Sequence, residues 1–579
     1  MFKNFLSKKE LLSIFILLFL GFAWLSLILT LLGFFYKVIL LTYIFFAVLF
    51  FAYLLWKNFG KIKISKNEIF FIASALILIG IFSFFSSPTI FSGRDQGSLS
   101  EAAIRLSQNH QLTFSFPAEK EFFKLYGPGQ ALNFPGFSYT EEGNLITQFP
   151  LGYIAWLATF FALFGLSGLI IANGASFFLF SCAFYLLAKR FLTSFSAWLA
   201  WLLTATAFTS FWFFKFTLSE NLALALVWLG LYFFAVFWDD PKKLYFIVFV
   251  SAFGLLIFTR IEGLAFLAMT MLLLFWKFKK QPEIRKVLDK KIIFLIFGIF
   301  ALYIANIFID WQFFTFLAKA VLKPFINSGE KISFSSDIFS AWKVLGIFYL
   351  YGLLTFFLLG LAGFFFALRQ KKIELLIPYL VVLPAFIYVI FPNISSDHPW
   401  MLRRFMFAVI PISILYSVIF LENYFSKKIF SRFFYALLII VNLGLLCFFL
   451  GFIPNKNLLS QIGKISDNFK ETDLVLVDQK ATGDNWSMMS GPLNFIYKKQ
   501  AVYFFNPKDL EKIDLEKFTG VYFIIPNDNL EFYSKNGIME RLIPVKDYSI
   551  ENNILKNFAS KNLPKVENQL VLGKIYLLK

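Results

Sequence analysis

Apolar runs of about 20 residues recur along most of this 579-residue chain and end near residue 453. A helix of that length crosses the hydrocarbon core of a bilayer, whereas a soluble domain has no interior large enough for so many of them. Hydrophobic residues make up 59% of the sequence, and 85 residues are phenylalanine. Lipid must therefore surround most of the chain, and the runs predict a mainly α fold, a polytopic bundle of about 13 transmembrane helices.

Basic residues gather in short clusters between these runs, for example at 3–9, 57–66, 189–190 and 277–291. If all of them lie in the cytoplasm, the positive-inside rule is satisfied and the large loop before residue 150 lies on the outer face. The net charge of +19 is thus spread over juxtamembrane clusters, and no nucleic-acid partner is expected. The sequence predicts a multi-pass protein of the cell (inner or plasma) membrane, with its N-terminus in the cytoplasm.

The predicted chain has four parts, which follow from the apolar runs and from a change of pattern after residue 453. They are three N-terminal transmembrane helices (1–87), a large first outer loop (88–167), the remaining transmembrane bundle (168–453) and a small soluble α/β domain (454–579). The outer loop is expected to carry juxtamembrane helices and a short apolar helix that lies along the interface or re-enters. In the last part, short apolar stretches such as "DLVLVDQ" and "GVYFIIP" are typical of strands. The same topology places this C-terminal domain outside the cytoplasm.

Few residue types are available for metal or thiol chemistry. The chain has two cysteines and two histidines, His110 and His398. A disulfide framework, a thiolate metal site and a multi-histidine centre are therefore excluded.

The stretch "FSGRDQGSLSEAAIRLSQN" places Arg94, Asp95 and Glu101 directly after an apolar run. Ser98 and Glu101 have the spacing of a capping box, which predicts a helix over about 98–109 with Asp95 just before it. Taken alone, Asp95 reads as a carboxylate that complements the helix dipole. The functional interpretation is that Asp95 faces a cavity between this loop and the transmembrane helices.

Other charged residues fall at the ends of apolar runs on the same predicted outer face. Each has a local explanation as a helix cap, a neighbouring ion pair or a side chain that reaches lipid phosphates. Because charges at membrane depth usually face a cavity or pair with each other, their shared location favours a single polar site. These residues are Glu220, Arg260, Glu262, Asp397, His398, Arg403 and Arg404.

Carboxylates that face arginines suit a phosphate-bearing donor together with a hydroxylated acceptor. Arginine binds phosphate oxygens through its planar fork, and an aspartate can accept a hydroxyl proton. A donor with a lipid tail would explain a site at the edge of the bilayer.

The order of these segments resembles the membrane glycosyltransferases of superfamily C, in particular the protein O-mannosyltransferase and lipid A aminoarabinose transferase group. "GRDQGSLSEAAIRLSQN" followed by "QFPLGYIAWLATFFALFG" is similar to that family's first outer loop and the helix after it. The next block of the family ends in an outer acidic residue, which Glu220 matches. The resemblance covers roughly residues 80–280. Two extra spans precede the loop, Asp95 stands alone where many members have Asp-Glu, and "FPLG" replaces a His/Lys-Pro-Pro motif.

The resemblance implies that Asp95 is catalytic, as the general base that deprotonates an acceptor hydroxyl while the sugar leaves a polyprenyl phosphate with inversion. It implies that Glu220 orients substrate hydroxyls and that Arg260, Arg403 or Arg404 neutralises the released phosphate. Arg94, Glu101, Glu262 and His398 complete the predicted substrate-binding set. The expected partners are a polyprenyl-phosphate-linked sugar donor, a glycan, lipid or protein acceptor, and membrane lipid. Since no outer loop carries Asp-x-Asp, neither a metal nor another cofactor is expected.

Two other functions fit part of the pattern. A transporter or flippase of lipid-linked glycans would explain the membrane location, although few of the charges fall at mid-membrane depth. A glycan ligase or polymerase with a pyrophosphate-linked donor would use several outer arginines and a histidine, for which Arg403, Arg404 and His398 are available.

Overall fold

The computed structural model describes residues 6–60, 64–315, 317–318, 334–390, 397–424, 428–556 and 562–579. The chain begins with three helices, α1 (Lys8–Leu32), α2 (Lys37–Lys57) and α3 (Lys66–Phe84). Serine and glutamate form capping boxes at the starts of α1 and α3, through Ser7 with Glu10 and Ser65 with Glu68. These boxes satisfy backbone donors that a helix N-terminus leaves free, so both helices begin at the apolar runs' polar edges.

The first large loop is folded. It contains helices α4 (Asp95–Asn109) and α5 (Pro117–Tyr126) and a small antiparallel sheet of strands β1 (Gly129–Gln130), β2 (Phe137–Tyr139) and β3 (Leu145–Thr147). The predicted start of the helix at Ser98 was wrong, because α4 begins at Asp95 and Ser98 and Glu101 do not form a capping box. Instead, the Ser98 hydroxyl donates to the Pro135 carbonyl, and Glu101 accepts from Ser92.

A helix of 14 residues, α6 (Leu151–Phe164), follows the loop and turns at Gly165 into α7 (Leu166–Ala188). At 1.5 Å per residue α6 is about 21 Å long, which is short of a bilayer's hydrocarbon core of about 30 Å. Its Tyr153 hydroxyl donates to Asn173 of α7 at 2.7 Å, and its Gly152 N–H donates to the Phe258 carbonyl at 2.7 Å. The interfacial or re-entrant course of this segment stays a prediction.

Helix α10 (Ser219–Asp239) is the centre of the bundle, since its most apolar 18-residue window is entirely buried inside the protein. The other helices of the bundle are α7 (Leu166–Ala188), α8 (Ser194–Thr206), α9 (Phe208–Phe214), α11 (Lys243–Ile257), α12 (Gly263–Lys280), α13 (Lys290–Ile309), α14 (Phe334–Leu350), α15 (Leu354–Gln370), α16 (Ile373–Val382), α17 (Ile387–Ile390), α18 (Arg403–Met406), α19 (Val409–Tyr424) and α20 (Lys428–Leu450).

Within the described residues, eight helices are long and apolar enough to cross a membrane, and the number rises to 11 if each bent helix pair is one span. The chain is a multi-pass membrane protein, and the predicted polytopic helical fold is confirmed. About 13 spans are expected from the apolar runs, and the described residues give 8 to 11 because several of these runs are broken or short. The runs that form α8–α9 and α18–α19 bend by 56° and 57°, and α11 has only 15 residues.

Basic residues from distant segments meet acids at one end of this bundle, which we call the basic end. Lys8 pairs with Glu68, and Lys242 pairs with Glu10 at 3.2 Å. Three further ion pairs lie at this end: Lys189–Glu68, Arg190–Asp239 and Lys243–Asp289. These basic residues therefore share one end of the bundle, as the positive-inside interpretation requires.

The C-terminal domain is an α/β unit built on a five-stranded sheet in the order β5-β4-β6-β8-β7. Strands β4 (Leu474–Val477), β5 (Gln500–Tyr503) and β6 (Val521–Pro526) are parallel, and a long antiparallel hairpin of β7 (Leu542–Lys556) and β8 (Lys565–Leu578) completes the sheet. Its helices are α21 (Leu458–Ser466), α22 (Ser490–Phe495) and α23 (Leu530–Lys535).

Polar contacts join this domain to the first large loop. The Met488 N–H donates to the Ser92 carbonyl at 3.0 Å, and Arg105 donates to the Asn494 side chain at 2.6 Å. The C-terminal domain therefore lies at the same end of the bundle as α4, opposite the basic end.

Candidate active site

The start of α4 holds Asp95 against the bundle. Gly97 lies in the first turn and has no room for a side chain, because an added Cβ would come within 1.7 Å of the Phe91 carbonyl oxygen. This close approach fixes the helix on the chain segment just before it. Asp95 keeps 37% of its side chain exposed, so it is accessible to a ligand.

Asp95 forms an ion pair with Arg403, at the start of α18. Arg403 also lies near Glu220 of α10, with 3.8 Å between its Nε and Glu220 Oε1. The two partners of Arg403 are far apart in the sequence, and Asp95 and Arg403 are themselves 308 residues apart. The first large loop, α10 and the segment before α19 thus meet at one place.

A second arginine continues this chain of charges. Arg260, between α11 and α12, forms an ion pair with Glu220 at 2.6 Å and donates to Glu262 at 2.7 Å. Arg404 lies 3.4 Å from Glu262, which also accepts a hydrogen bond from Tyr388. We call these six alternating acids and arginines the charged cluster: Asp95, Arg403, Glu220, Arg260, Glu262 and Arg404.

Exposure differs along the charged cluster. The Glu220 side chain is 1% exposed, whereas Asp95 and Arg404 are 37% and 27% exposed. The buried middle therefore holds the two accessible members in place. Charges buried in this way need partners, and the alternation of sign supplies them.

Two opposing effects set the pKa of Asp95. Burial raises it, but the nearby positive charges of Arg403, Arg404 and Arg260 hold the pKa below its usual value. Asp95 is therefore ionised at neutral pH and can accept a proton.

Arg94 and His398 have partners outside the charged cluster. Arg94 donates to Asp397 at 2.6 Å, and its guanidinium lies between the Trp400 and Trp486 rings, 4.6 and 4.5 Å from their centroids. Trp400 also lies 4.8 Å from the guanidinium of Arg403, so it separates the two arginines.

His398 is buried, and its Nδ1 is 2.9 Å from the Tyr351 hydroxyl.

Glu101 is located apart from the charged cluster. It is fully buried between α4 and the C-terminal domain, where the Ser92 hydroxyl donates to it at 2.8 Å. An added Cβ at Gly491 of α22 would come within 2.0 Å of its Oε1. Burial raises the pKa of Glu101 to about 8, so the carboxyl group is protonated at neutral pH.

Sequence reasoning missed several side chains around these charges. Tyr388, Trp400 and Trp486 had no pattern that singled them out, and Trp486 comes from the C-terminal domain. A cavity of about 80 Å³ lies next to Arg94 and is lined by both tryptophans, Gln96, Asp484 and Asn553. The one available signal was weak: Trp400 stands three residues before the adjacent arginines Arg403 and Arg404.

Across the residues that the structure describes, no three His, Cys, Asp or Glu side chains come together so that they could hold a metal ion. The carboxylates of the charged cluster each face at least one arginine instead. The expected independence from metal stays a prediction.

No protein-family model and no curated protein matches the chain. Its fold nevertheless matches solved structures. ArnT from Cupriavidus metallidurans bound to undecaprenyl phosphate is similar with a TM-score of 0.50 and 12% identity, over 87% of this chain and 97% of that chain. The apo state of ArnT gives a TM-score of 0.51 with the same identity and coverage. The archaeal oligosaccharyltransferase AglB from Archaeoglobus fulgidus, in complex with an inhibitory peptide and a dolichol-phosphate, gives 0.48 and 12% identity over 87% of this chain and 75% of that chain.

The bundle, the helical outer loop and the appended sheet domain thus define a class of polytopic membrane proteins. That class has the fold of the solved ArnT structures. The resemblance inferred from residues 80–280 is confirmed at the level of the fold.

Proposed function

We propose that this protein transfers a sugar from a polyprenyl-phosphate donor to a hydroxyl group of a glycan, lipid or protein acceptor at the outer face of the membrane. One observation carries the proposal: an ionised, accessible carboxylate, Asp95, lies beside arginines at one end of a membrane bundle. The solved ArnT structure of the same fold contains undecaprenyl phosphate, a lipid-linked phosphate of the required class.

In the proposed reaction Asp95 accepts the proton of the acceptor hydroxyl. The acceptor oxygen forms a bond to the anomeric carbon from the face opposite the phosphate, and the bond between that carbon and the phosphate oxygen breaks. The electron pair of the broken bond stays on the phosphate. The configuration at the anomeric carbon is inverted, and the proton on Asp95 later passes to water.

The arginines have two tasks in this scheme. Arg404, the most exposed arginine of the charged cluster, binds phosphate oxygens and stabilises the charge that develops on them. Arg403 holds Asp95 ionised before substrate binds. When a donor phosphate shares Arg403, its charge is partly neutralised, so the pKa of Asp95 rises and its carboxylate becomes a stronger base.

The buried acids have a supporting role. Glu220 and Glu262 orient the guanidinium groups of Arg260, Arg403 and Arg404, which would otherwise repel one another. Glu220 also lies where it can accept a hydrogen bond from a substrate hydroxyl if Arg403 moves toward a phosphate. Because these groups are already in place, little reorganisation is needed during the reaction.

The test is sugar transfer by purified protein in lipid vesicles, with radiolabelled polyprenyl-phosphate sugars as donors. Asp95→Asn keeps the shape of the side chain and removes the base, so transfer should fall by at least about 100-fold. The matched control is Asp240→Asn at the basic end, where Asp240 pairs only with Lys242 among the described residues, at 3.2 Å. Near-normal transfer by Asp95→Asn, or an equal loss in both variants, would contradict the proposal.

A further inference from the structure

A second cavity lies at the basic end, between α1, α3, α7 and α10, with a volume of about 540 Å³. Its walls are apolar and include Leu12, Phe71, Ile72 and Leu186. Ile64 and Ile72 are 54% and 37% exposed, so the cavity opens sideways where lipid surrounds the bundle. We call it the inner groove.

Positive charge predominates at the rim of the inner groove. Four cations line it, Lys8, Lys9, Lys189 and Arg190, together with one acid, Glu68. Asp239 lies outside the lining but pairs with Arg190. Even when Asp239 is counted with Glu68, the four cations exceed the two acids by two charges.

Lys9 is the clearest source of this surplus. Its side chain is exposed, and none of the described acids pairs with it. Lys189 lies 3.6 Å from Glu68, but Glu68 also pairs with Lys8, so one carboxylate serves two ammonium groups. The rim therefore carries positive charge that an anionic group could neutralise.

The inner groove is separate from the charged cluster. Glu220 lies in the first turn of α10, and Asp239, which pairs with the groove residue Arg190, ends the same helix. Nineteen residues at 1.5 Å each place the two ends about 28 Å apart. A donor whose phosphate binds at the charged cluster does not place that phosphate in the inner groove.

We propose that the inner groove binds an anionic phospholipid of the surrounding membrane. The phosphate group lies between Lys9 and Lys189, and an acyl chain lies along Phe71, Ile72 and Leu186. Basic pockets between transmembrane helices attract anionic head groups, and apolar walls that open to lipid suit an acyl chain. The proposal does not depend on the transferase activity.

The test is lipid retention by the full-length protein in detergent, measured by native mass spectrometry after incubation with phosphatidylglycerol, with phosphatidylcholine or with glycerol phosphate. We expect at least about tenfold more bound phosphatidylglycerol than phosphatidylcholine, since two lysines contact the phosphate and the excess positive charge favours a net negative head group. Glycerol phosphate should not compete, because it lacks an acyl chain. Equal retention of the two lipids, or full competition by glycerol phosphate, would overturn the proposal.

Two variants separate the groove from general attraction between cations and anionic lipid. Lys9→Gln with Lys189→Gln should abolish the preference, whereas Lys279→Gln, an exposed lysine at the same end and outside the groove, should keep it. Ile72→Trp fills the groove without changing the charge and should also lower retention. Melting temperatures without added lipid verify that the variants are folded. A preference that survives both the double variant and Ile72→Trp in folded protein would refute the site.

Discussion

At the scale of single residues, a buried charge depends on the groups around it. Glu220 is almost fully enclosed, and its nearest partner is Arg260 at 2.6 Å. Arg260 in turn serves both Glu220 and Glu262, so removal of any one of the three leaves an uncompensated charge inside the protein. The contrast with Asp95, which is accessible and has one close partner, is the reason to assign reactivity to Asp95 and positioning to Glu220.

Glu101 is a buried acid with no cation among the described residues that contact it, and we predict that it makes stability depend on pH. Its pKa is about 8 in the folded protein, against about 4.5 for an ordinary glutamate. Between these values the folded state retains a proton that the unfolded state releases. Stability should therefore fall as pH rises from about 5 to about 8, by about 1.4 kcal/mol per pH unit.

The measurement for Glu101 is the apparent melting temperature from pH 5 to pH 8.5. Glu101→Gln imitates the protonated acid and should flatten this decline, while Glu141→Gln, an exposed glutamate in the same loop, should leave the wild-type profile unchanged. If wild type and Glu101→Gln lose stability in parallel over this range, Glu101 is not the group responsible.

At the scale of elements, the position of Asp95 depends on how closely α4 approaches the segment before it. Gly97→Ala would force the first turn of α4 away from Phe91, because the added Cβ meets the Phe91 carbonyl. We predict a loss of about 1–3 kcal/mol in stability, together with a decrease of at least about tenfold in sugar transfer as Asp95 shifts against Arg403. Gly298→Ala in α13 is the matched control, since nothing lies within 4 Å of its added Cβ. Unchanged transfer by Gly97→Ala would show that this contact does not position Asp95.

The same elements show what sequence could and could not predict. Long apolar runs predicted most of the helices, because a membrane span is encoded locally by about 20 residues. The predicted start of α4 was wrong because Glu101 does not cap the helix. Its carboxylate accepts a hydrogen bond from the Ser92 hydroxyl instead, a contact that only the folded chain creates. Strand β7 was missed because much of it is exposed and its polar residues hide the alternation.

For the charged cluster, the sequence predicted a shared location and did not predict the contacts between its residues. Sequence placed Asp95, Glu220 and Arg403 on one predicted face, but residue-to-residue contacts over 308 positions carry no local signal. Trp486 lies in a different part of the chain altogether and could not be connected with Arg94.

At the scale of the whole molecule, the two ends of the bundle have different chemistry. Lysine-rich ion pairs occupy the basic end, while α4, the charged cluster and the C-terminal domain lie at the other. The Arg105–Asn494 contact joins α4 to the C-terminal domain, and the Ser92–Met488 contact joins the segment just before α4 to it, so the loop and this domain must lie on one side of the membrane. The positive-inside rule then predicts that this side is the exterior.

We therefore predict that a cysteine introduced at Lys535, in the C-terminal domain, reacts with a membrane-impermeant maleimide in intact cells. A cysteine introduced at Lys286, at the basic end, should react only after the cells are opened. Both side chains are exposed, 73% and 81% respectively, so a difference between them reports the side of the membrane rather than burial. The two native cysteines, Cys182 and Cys447, are first replaced by alanine to remove background labelling. If the cysteine at 286 is labelled in intact cells and the one at 535 is protected, the orientation is reversed and Asp95 faces the cytoplasm. Such a result would leave the contacts of the charged cluster intact but place the reaction with substrates made and consumed inside the cell.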